Sequence, residues 1–320
     1  MRFVVYGAGA VGGVIGARLF QQGHDVTLIA RGAQYEAVRD RGLRLDTPEE
    51  SVTLPVPVVD RPSKVTFQPD DVVLLAMKTQ DTLPALAELA AVAPPYIVVA
   101  CAQNGVENER LALRRFARVY GICVLLPSAF SEPGVVEAYL APQTGSLDVG
   151  RYPAGTDGPA ESLAAAFAGA TFASKARPDI MRYKYGKLVS NLNNAVEVVI
   201  GPGEQGADIE RLAREEGEAC LRAAGIDAAA GVAIVSRIRP IRGRERGGGS
   251  SYQSLRRGTG SIETDYLNGE IVLLGREHGV PTPVNDLLRR LANRMAHEGL
   301  QPGLMTPEEF LAALDGPAPG

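Results

Sequence analysis

The chain has 320 residues, with 33 basic and 37 acidic side chains and a formal net charge of −4. At about 100–200 residues per domain that length predicts two domains, while 45% hydrophobic and 22% charged residues exclude general disorder. The mildly acidic balance excludes the dense basic surface that nonspecific nucleic-acid binding requires.

The N-terminal half alternates short apolar, β-rich runs with helical segments. Strands are predicted at Arg2–Tyr6, Asp25–Ile29, Val72–Met77, Tyr96–Cys101 and Val119–Leu125, and helices at Val11–Gln22, Thr82–Ala93 and Glu107–Ala117. That rhythm predicts an α/β domain, a parallel sheet with helices on its faces. Pro133–Asp148 predicts β-hairpins that close it. Arg177-Pro178-Asp179 reads as a turn and helix start. The chain therefore divides into a sheet domain over 1–177 and a mainly α-helical domain over 178–320. Helices are predicted over Ile180–Val199, Asp208–Ala224, Gly260–His278 and Asn285–His297. The apolar faces of the second and fourth suit either the core or a homodimer interface. Arg242–Gly260, rich in Gly, Arg and Ser, reads as a mobile loop, and Asp315–Gly320 as a frayed tail.

Three cysteines without CxxC spacing fit a reducing compartment. No apolar run approaches the roughly 18 residues of a membrane span, and no basic region precedes the first apolar stretch. A cytoplasmic location with no membrane partner is the expectation. His24, His278 and His297 are scattered, so no metal site is predicted.

The first strand ends in Gly7-Ala8-Gly9-Ala10-Val11-Gly12 and runs directly into a helix. Gly7 permits the tight turn, Gly9 lets a pyrophosphate approach the backbone, and Gly12 lets helix and strand pack closely. The helix N-terminus offers free N–H groups and positive dipole charge to the phosphates. These six residues predict a Rossmann-type dinucleotide site. About 20 residues further on, where an acid would bind the ribose hydroxyls of NAD, the chain has Thr27-Leu28-Ile29-Ala30-Arg31-Gly32. Arg31 is predicted to pair with a 2′-phosphate, so the expected cofactor is NADPH. Two further strand ends point the same way: Lys78 and Asn104 are placed to reach cofactor or substrate.

Only five of the 33 cations are lysine, namely Lys64, Lys78, Lys175, Lys184 and Lys187. Arginine is the default cation, so each lysine raises the question of what arginine would not do there. Lys187, Asn191 and Asn194 share one face of a predicted helix. That face is either solvated or a polar stripe that requires partners. Downstream, Ser250-Ser251 precedes Glu263, an acid at the start of a predicted helix.

Taken together, the glycine motif, Met77-Lys78, Gln103-Asn104-Gly105, Lys187-Leu188-Val189-Ser190-Asn191, Ser250-Ser251…Glu263 and Glu277–Asn285 resemble the ketopantoate reductase family across nearly the whole chain. The resemblance implies that Lys187 is the general acid and that Glu263 assists it. It implies that Asn191 and Ser251 bind substrate, with Asn194 beside them, and that Lys78 and Asn104 serve cofactor and cleft. Four positions depart from the family pattern: Tyr185 replaces a tryptophan, Ala195 an asparagine, Ser254 an acid and Gly248 an asparagine. They bear on the identity of the substrate more than on the reaction. The expected activity is NADPH-dependent reduction of a 2-oxo acid, ketopantoate first. A relative acting on another carbonyl compound and a non-catalytic NADP(H)-binding regulator remain as alternatives.

Overall fold

The computed structural model describes residues 1–229, 237–258 and 260–315. All but the first residue of the expected frayed tail lies outside these. Contacts divide the chain into two compact units. The first comprises Met1–Lys184 and takes back a later segment whose described part is 237–246; the remainder from Tyr185 forms the second. The division therefore falls seven residues beyond the sequence boundary at 177, inside a helix. The reason is physical, because Lys184 is buried in the first unit's interior.

The first unit is built on an eight-stranded sheet. Its strands are β1 (Arg2–Tyr6), β2 (Asp25–Ile29), β3 (Val58–Val59), β4 (Asp71–Leu75), β5 (Val98–Cys101), β6 (Arg118–Leu125), β7 (Gly145–Arg151) and β8 (Phe172–Ala173). They lie in the order β8-β7-β6-β5-β4-β1-β2-β3. All neighbours run parallel except β6 and β7. Alternate residues of β1 enter different apolar layers, with Phe3 and Val5 in one and Val4 and Tyr6 in the other. Burial on both faces explains why these strands read as continuous apolar runs. Helices α1 (Ala10–Gln21), α2 (Gly32–Arg41), α3 (Thr82–Ala90), α4 (Asn108–Leu113) and α5 (Gly158–Gly169) alternate with the strands.

A smaller sheet joins Leu43–Asp46, Ser51–Leu54, Ser128–Glu132 and Val135–Ala138. The later segment packs on this unit. Arg237–Ile238 pairs antiparallel with Leu140–Ala141. Arg242 Nη2 donates to Ser51 Oγ at 2.6 Å, and Arg244 Nη2 to Glu137 Oε1 at 2.9 Å. Part of the expected mobile loop at Arg242–Gly260 is thus ordered by contacts: Arg242 and Arg244 reach the buried acids Asp46 and Glu137, and Ser250–Arg256 forms a helix.

The second unit is helical. It contains most of α6 (Ile180–Asn191), then α7 (Asn193–Val199), α8 (Ala207–Ala223), α9 (Ser250–Arg256), α10 (Asn268–His278), α11 (Pro283–Glu298) and α12 (Pro307–Asp315). The single helix expected over Ile180–Val199 is two. Leu192 stays right-handed (φ −60°, ψ −29°), but the bonds tighten there to three-residue steps. The helix expected from Gly260 begins instead at Asn268, after a short 3-10 turn over Glu263–Tyr266. Within the unit Asn285 Nδ2 donates to Glu216 Oε2 at 2.7 Å and Asn268 Nδ2 to Asn285 Oδ1 at 3.0 Å. Glu216 also accepts the Val284 and Asn285 N–H groups at 2.9 Å each, satisfying the start of α11.

Candidate active site

The glycine motif folds as its spacing predicts. Gly7 has φ +102°, and a Cβ there would stand 2.6 Å from Met77 N, so only glycine makes this turn. At Gly12 a Cβ would meet Gly7 O at 2.1 Å and Ala76 Cβ at 2.8 Å, so α1 can lie against β1 and β4 only without a side chain. Gly9 differs: nothing lies within 4 Å of its added Cβ. It is the N-cap of α1, with Ala10 and Val11 opening the helix. Open space over unpaired helix N–H groups is what a pyrophosphate requires. Ala8 contributes its carbonyl, which accepts from Gln34 Nε2 at 2.8 Å.

The ends of β4 and β5 are tied together beside this turn. Gln103 Nε2 donates to Met77 O at 3.0 Å and to Thr82 Oγ1 at 2.7 Å. Asn108 Nδ2 donates to Asn104 O and to Thr79 Oγ1, each at 3.1 Å. This buried net holds the backbone on which Lys78 and Asn104 sit, and both side chains are half-buried. Gly105, at φ +76°, turns the chain immediately after Asn104.

Arg31 is not a bare cation. Its Nη2 donates to Glu88 Oε2 at 2.8 Å and to the Tyr6 hydroxyl at 2.9 Å. Tyr6 in turn donates to Glu88 Oε2 at 2.7 Å. Burial first, and the bond to Glu88 second, push the Tyr6 phenol up to about 12. The arginine thus stands at the predicted position with an acid already beside it. Glu88 is the residue that sequence reading missed; it lies far along the chain, on α3.

In the helical unit, α6 carries Lys187 and Asn191 one turn apart, and both are half-buried. Asn191 Nδ2 is shielded from solvent and meets no hydrogen-bond partner among the described residues. Past the tightening at Leu192, Asn194 Nδ2 donates to Ser250 Oγ at 3.4 Å, which joins α7 to the start of α9. Ser251 follows, 4% exposed. Glu263 leads the 3-10 turn and is half-buried. The structure thereby brings Asn194 beside the Ser250-Ser251 pair from more than fifty residues away.

Lys184 is the clear departure. One turn before Lys187 on α6, its ammonium lies 2.6 Å from Glu109 Oε1, with both side chains essentially buried, and donates to Gln103 O at 3.0 Å. Burial pushes the Glu109 carboxyl up, against the pull of this neighbour. Lys184 is committed to a partner.

No group of three or more histidine, cysteine or acidic residues that would hold a metal occurs among the described residues, and the three cysteines are buried and form no disulfide. Burial raises the Cys101 thiol well above its ordinary value, so it is no nucleophile. No described helix is long and apolar enough to cross a membrane.

A sheet with this glycine cradle at its first turn, in a chain that also carries a separate helical unit, defines a nicotinamide-nucleotide-dependent oxidoreductase. Residues 3–154 match the family described as Ketopantoate reductase PanE/ApbA, and residues 179–296 match Ketopantoate reductase PanE/ApbA C terminal. The chain belongs to the ketopantoate reductase family. A 2-dehydropantoate 2-reductase of Caulobacter vibrioides is 30% identical over 300 residues, covering 91% of this chain and 98% of that one. The crystal structure of a PanE/ApbA family ketopantoate reductase from Ralstonia eutropha JMP134 superimposes with a TM-score of 0.78 at 27% identity, covering 93% of this chain and 99% of that one. D-mandelate dehydrogenase, in its ternary structure with NADH and anilino(oxo)acetate, shares the fold with a TM-score of 0.80 at 21% identity, covering 93% and 99%.

Proposed function

We propose that the protein reduces a 2-oxo acid to the 2-hydroxy acid with NADPH, and that ketopantoate, giving pantoate for pantothenate synthesis, is its first substrate. Gly7 to Gly12 hold the pyrophosphate, Arg31 the 2′-phosphate, and Lys78 and Asn104 the nicotinamide end. When bound, NADPH supplies the hydride for the ketone carbon. As that carbon is reduced, its oxygen gains negative charge. Lys187 stabilises the charge and donates the proton from Nζ. Arginine would stabilise but not donate, since its pKa exceeds 12. Glu263 orients the ammonium, while Asn191, Asn194 and Ser251 hold substrate oxygens.

The observation that supports this reading best is the Asn191 amide. A shielded donor without a partner costs on the order of 1–3 kcal/mol, a cost that a substrate carboxylate or carbonyl removes on binding. It lies one helical turn from Lys187, so the oxygen it would hold belongs to the molecule that Lys187 protonates. A panel of 2-oxo acids followed by NADPH absorbance tests the proposal. Turnover of ketopantoate supports it, and faster turnover of another member reassigns the substrate. NADPH binding with no turnover across the panel refutes it in favour of a regulatory role.

A further inference from the structure

Building on the assignment of Ser251 to substrate binding, we propose that Glu197 is a positioning residue that sets the start of α9, and with it Ser251. Glu197 is the sole acid between Asp179 and Glu204. It sits in Ala195-Val196-Glu197-Val198-Val199, whose four other residues are buried. A carboxylate in such a run loses solvation and is retained only with partners.

Both of its oxygens have one. Oε1 accepts from Asn193 Nδ2 at 3.3 Å, and Oε2 accepts the Gly249 N–H in a short contact. Gly249 is the N-cap of α9 and has no side chain with which to cap it. A carboxylate reaching across from α7 instead accepts the N–H of the N-cap residue itself, the bond that a glutamate at N3 makes in a capping box. The approach tolerates nothing larger than hydrogen, since a Cβ at 249 would stand 2.6 Å from Asn194 Oδ1 and 2.9 Å from Glu197 Oε2.

The next residue is held from two sides. Asn194 Nδ2 donates to Ser250 Oγ at 3.4 Å, and Ser254 Oγ donates to the Ser250 carbonyl at 2.9 Å. Ser251 follows without an intervening degree of freedom beyond one helical residue. The position of its hydroxyl therefore depends on where Glu197 fixes the Gly249 N–H.

The test is steady-state kinetics with ketopantoate and NADPH on Glu197→Gln, Ser251→Ala and the double variant. Asn193→Ala, which frees the other carboxylate oxygen, is the milder companion. Glutamine keeps the shape and loses the charge, so KM for ketopantoate should rise about 3–10-fold, the difference between a charged and a neutral hydrogen bond. The NADPH dissociation constant, read by fluorescence on the same samples, should stay unchanged, which a general loss of folding would not allow. The double variant should be no worse than Ser251→Ala alone, because residues acting through one another are not additive. Wild-type KM in both Glu197→Gln and Asn193→Ala, or additive losses in the double variant, overturns the positioning role while Ser251 keeps its own. Wild-type KM in Ser251→Ala overturns the Ser251 assignment and this proposal with it.

Discussion

The contact between Arg31 and Glu88 makes the choice of cofactor a matter of measurable competition. A 2′-phosphate arriving at Arg31 displaces Glu88 from the guanidinium or settles beside a carboxylate of its own sign. The side chains of Arg31 and Glu88 are 57% and 46% exposed, so water and salt screen the pair at 2.8 Å. Exposed pairs of this kind are worth about 0.2–1 kcal/mol, which sets the handicap Glu88 imposes. Glu88→Gln should therefore raise kcat/KM for NADPH about 1.5–5-fold. An arginine–phosphate bond is stronger, about 1.5–3 kcal/mol for a charged group. Arg31→Ala should accordingly lower kcat/KM for NADPH relative to NADH by about 10–100-fold.

The assay is the ratio of kcat/KM for the two cofactors, measured for wild type and both variants at fixed ionic strength. The two substitutions must move the ratio in opposite directions. A lower ratio in Glu88→Gln, or an unchanged ratio in Arg31→Ala, refutes the reasoning. If Glu88→Gln instead depresses NADH turnover alone, Glu88 holds the ribose hydroxyls and the enzyme is built for NADH.

Four further outcomes follow from the geometry. Gly9→Ala should fold with unchanged Tm yet bind NADPH more weakly, whereas Gly12→Ala should lose about 1–3 kcal/mol of stability in denaturant unfolding from steric overlap. Lys187→Ala should cut kcat about 10²–10⁴-fold with NADPH binding retained, and Lys187→Arg should lose comparable turnover despite keeping its charge. Lys184→Met alone should cost about 3–5 kcal/mol by stranding the Glu109 carboxylate, while Lys184→Met with Glu109→Leu should recover most of it. The Tyr6 phenol, pushed up to about 12 from 10, binds its proton more tightly folded than unfolded. Its share of stability is full below pH 10 and is lost as pH rises to about 12, so the fall in stability across that range should be shallower in Tyr6→Phe, which has no phenol to ionise, than in wild type; an equally steep fall refutes the linkage.

The central strands were legible because burial on both faces leaves long apolar runs; β1 and β2 agree with their predicted bounds and β4 to β6 nearly so. The glycine motif was legible because each glycine answers a local steric demand. What escaped the sequence depends on partners distant along the chain. Arg242 reaches toward Asp46, 196 positions away, and Arg244 reaches Glu137, 107 away, so their segment reads from the sequence as a mobile loop. Glu88 and Glu197 escaped for the same reason. An acid within an apolar run, as at Glu197, was the available signal. The helix predicted through Leu192 ran together because nothing in its composition marks a tightening of one turn.

The scarcity of lysine resolves into two kinds of chemistry on one helix. Lys184 needs a cation slender enough for its surroundings: a Cβ at Gly121 would already lie 3.3 Å from its Cδ and from Glu109 Oε1. A planar guanidinium with five donors would bring more N–H groups than the carbonyls of Gln103 and Ile122 and one carboxylate would satisfy there. Lys187, three residues on, needs a cation that can part with its proton. The first is a requirement of volume and hydrogen-bond count, the second of acidity, and the substitution to arginine separates them. Lys184→Arg should fail in thermal unfolding, while Lys187→Arg should unfold like wild type and fail in turnover. If both variants instead kept Tm and activity, neither lysine would owe its place to the chemistry assigned to it.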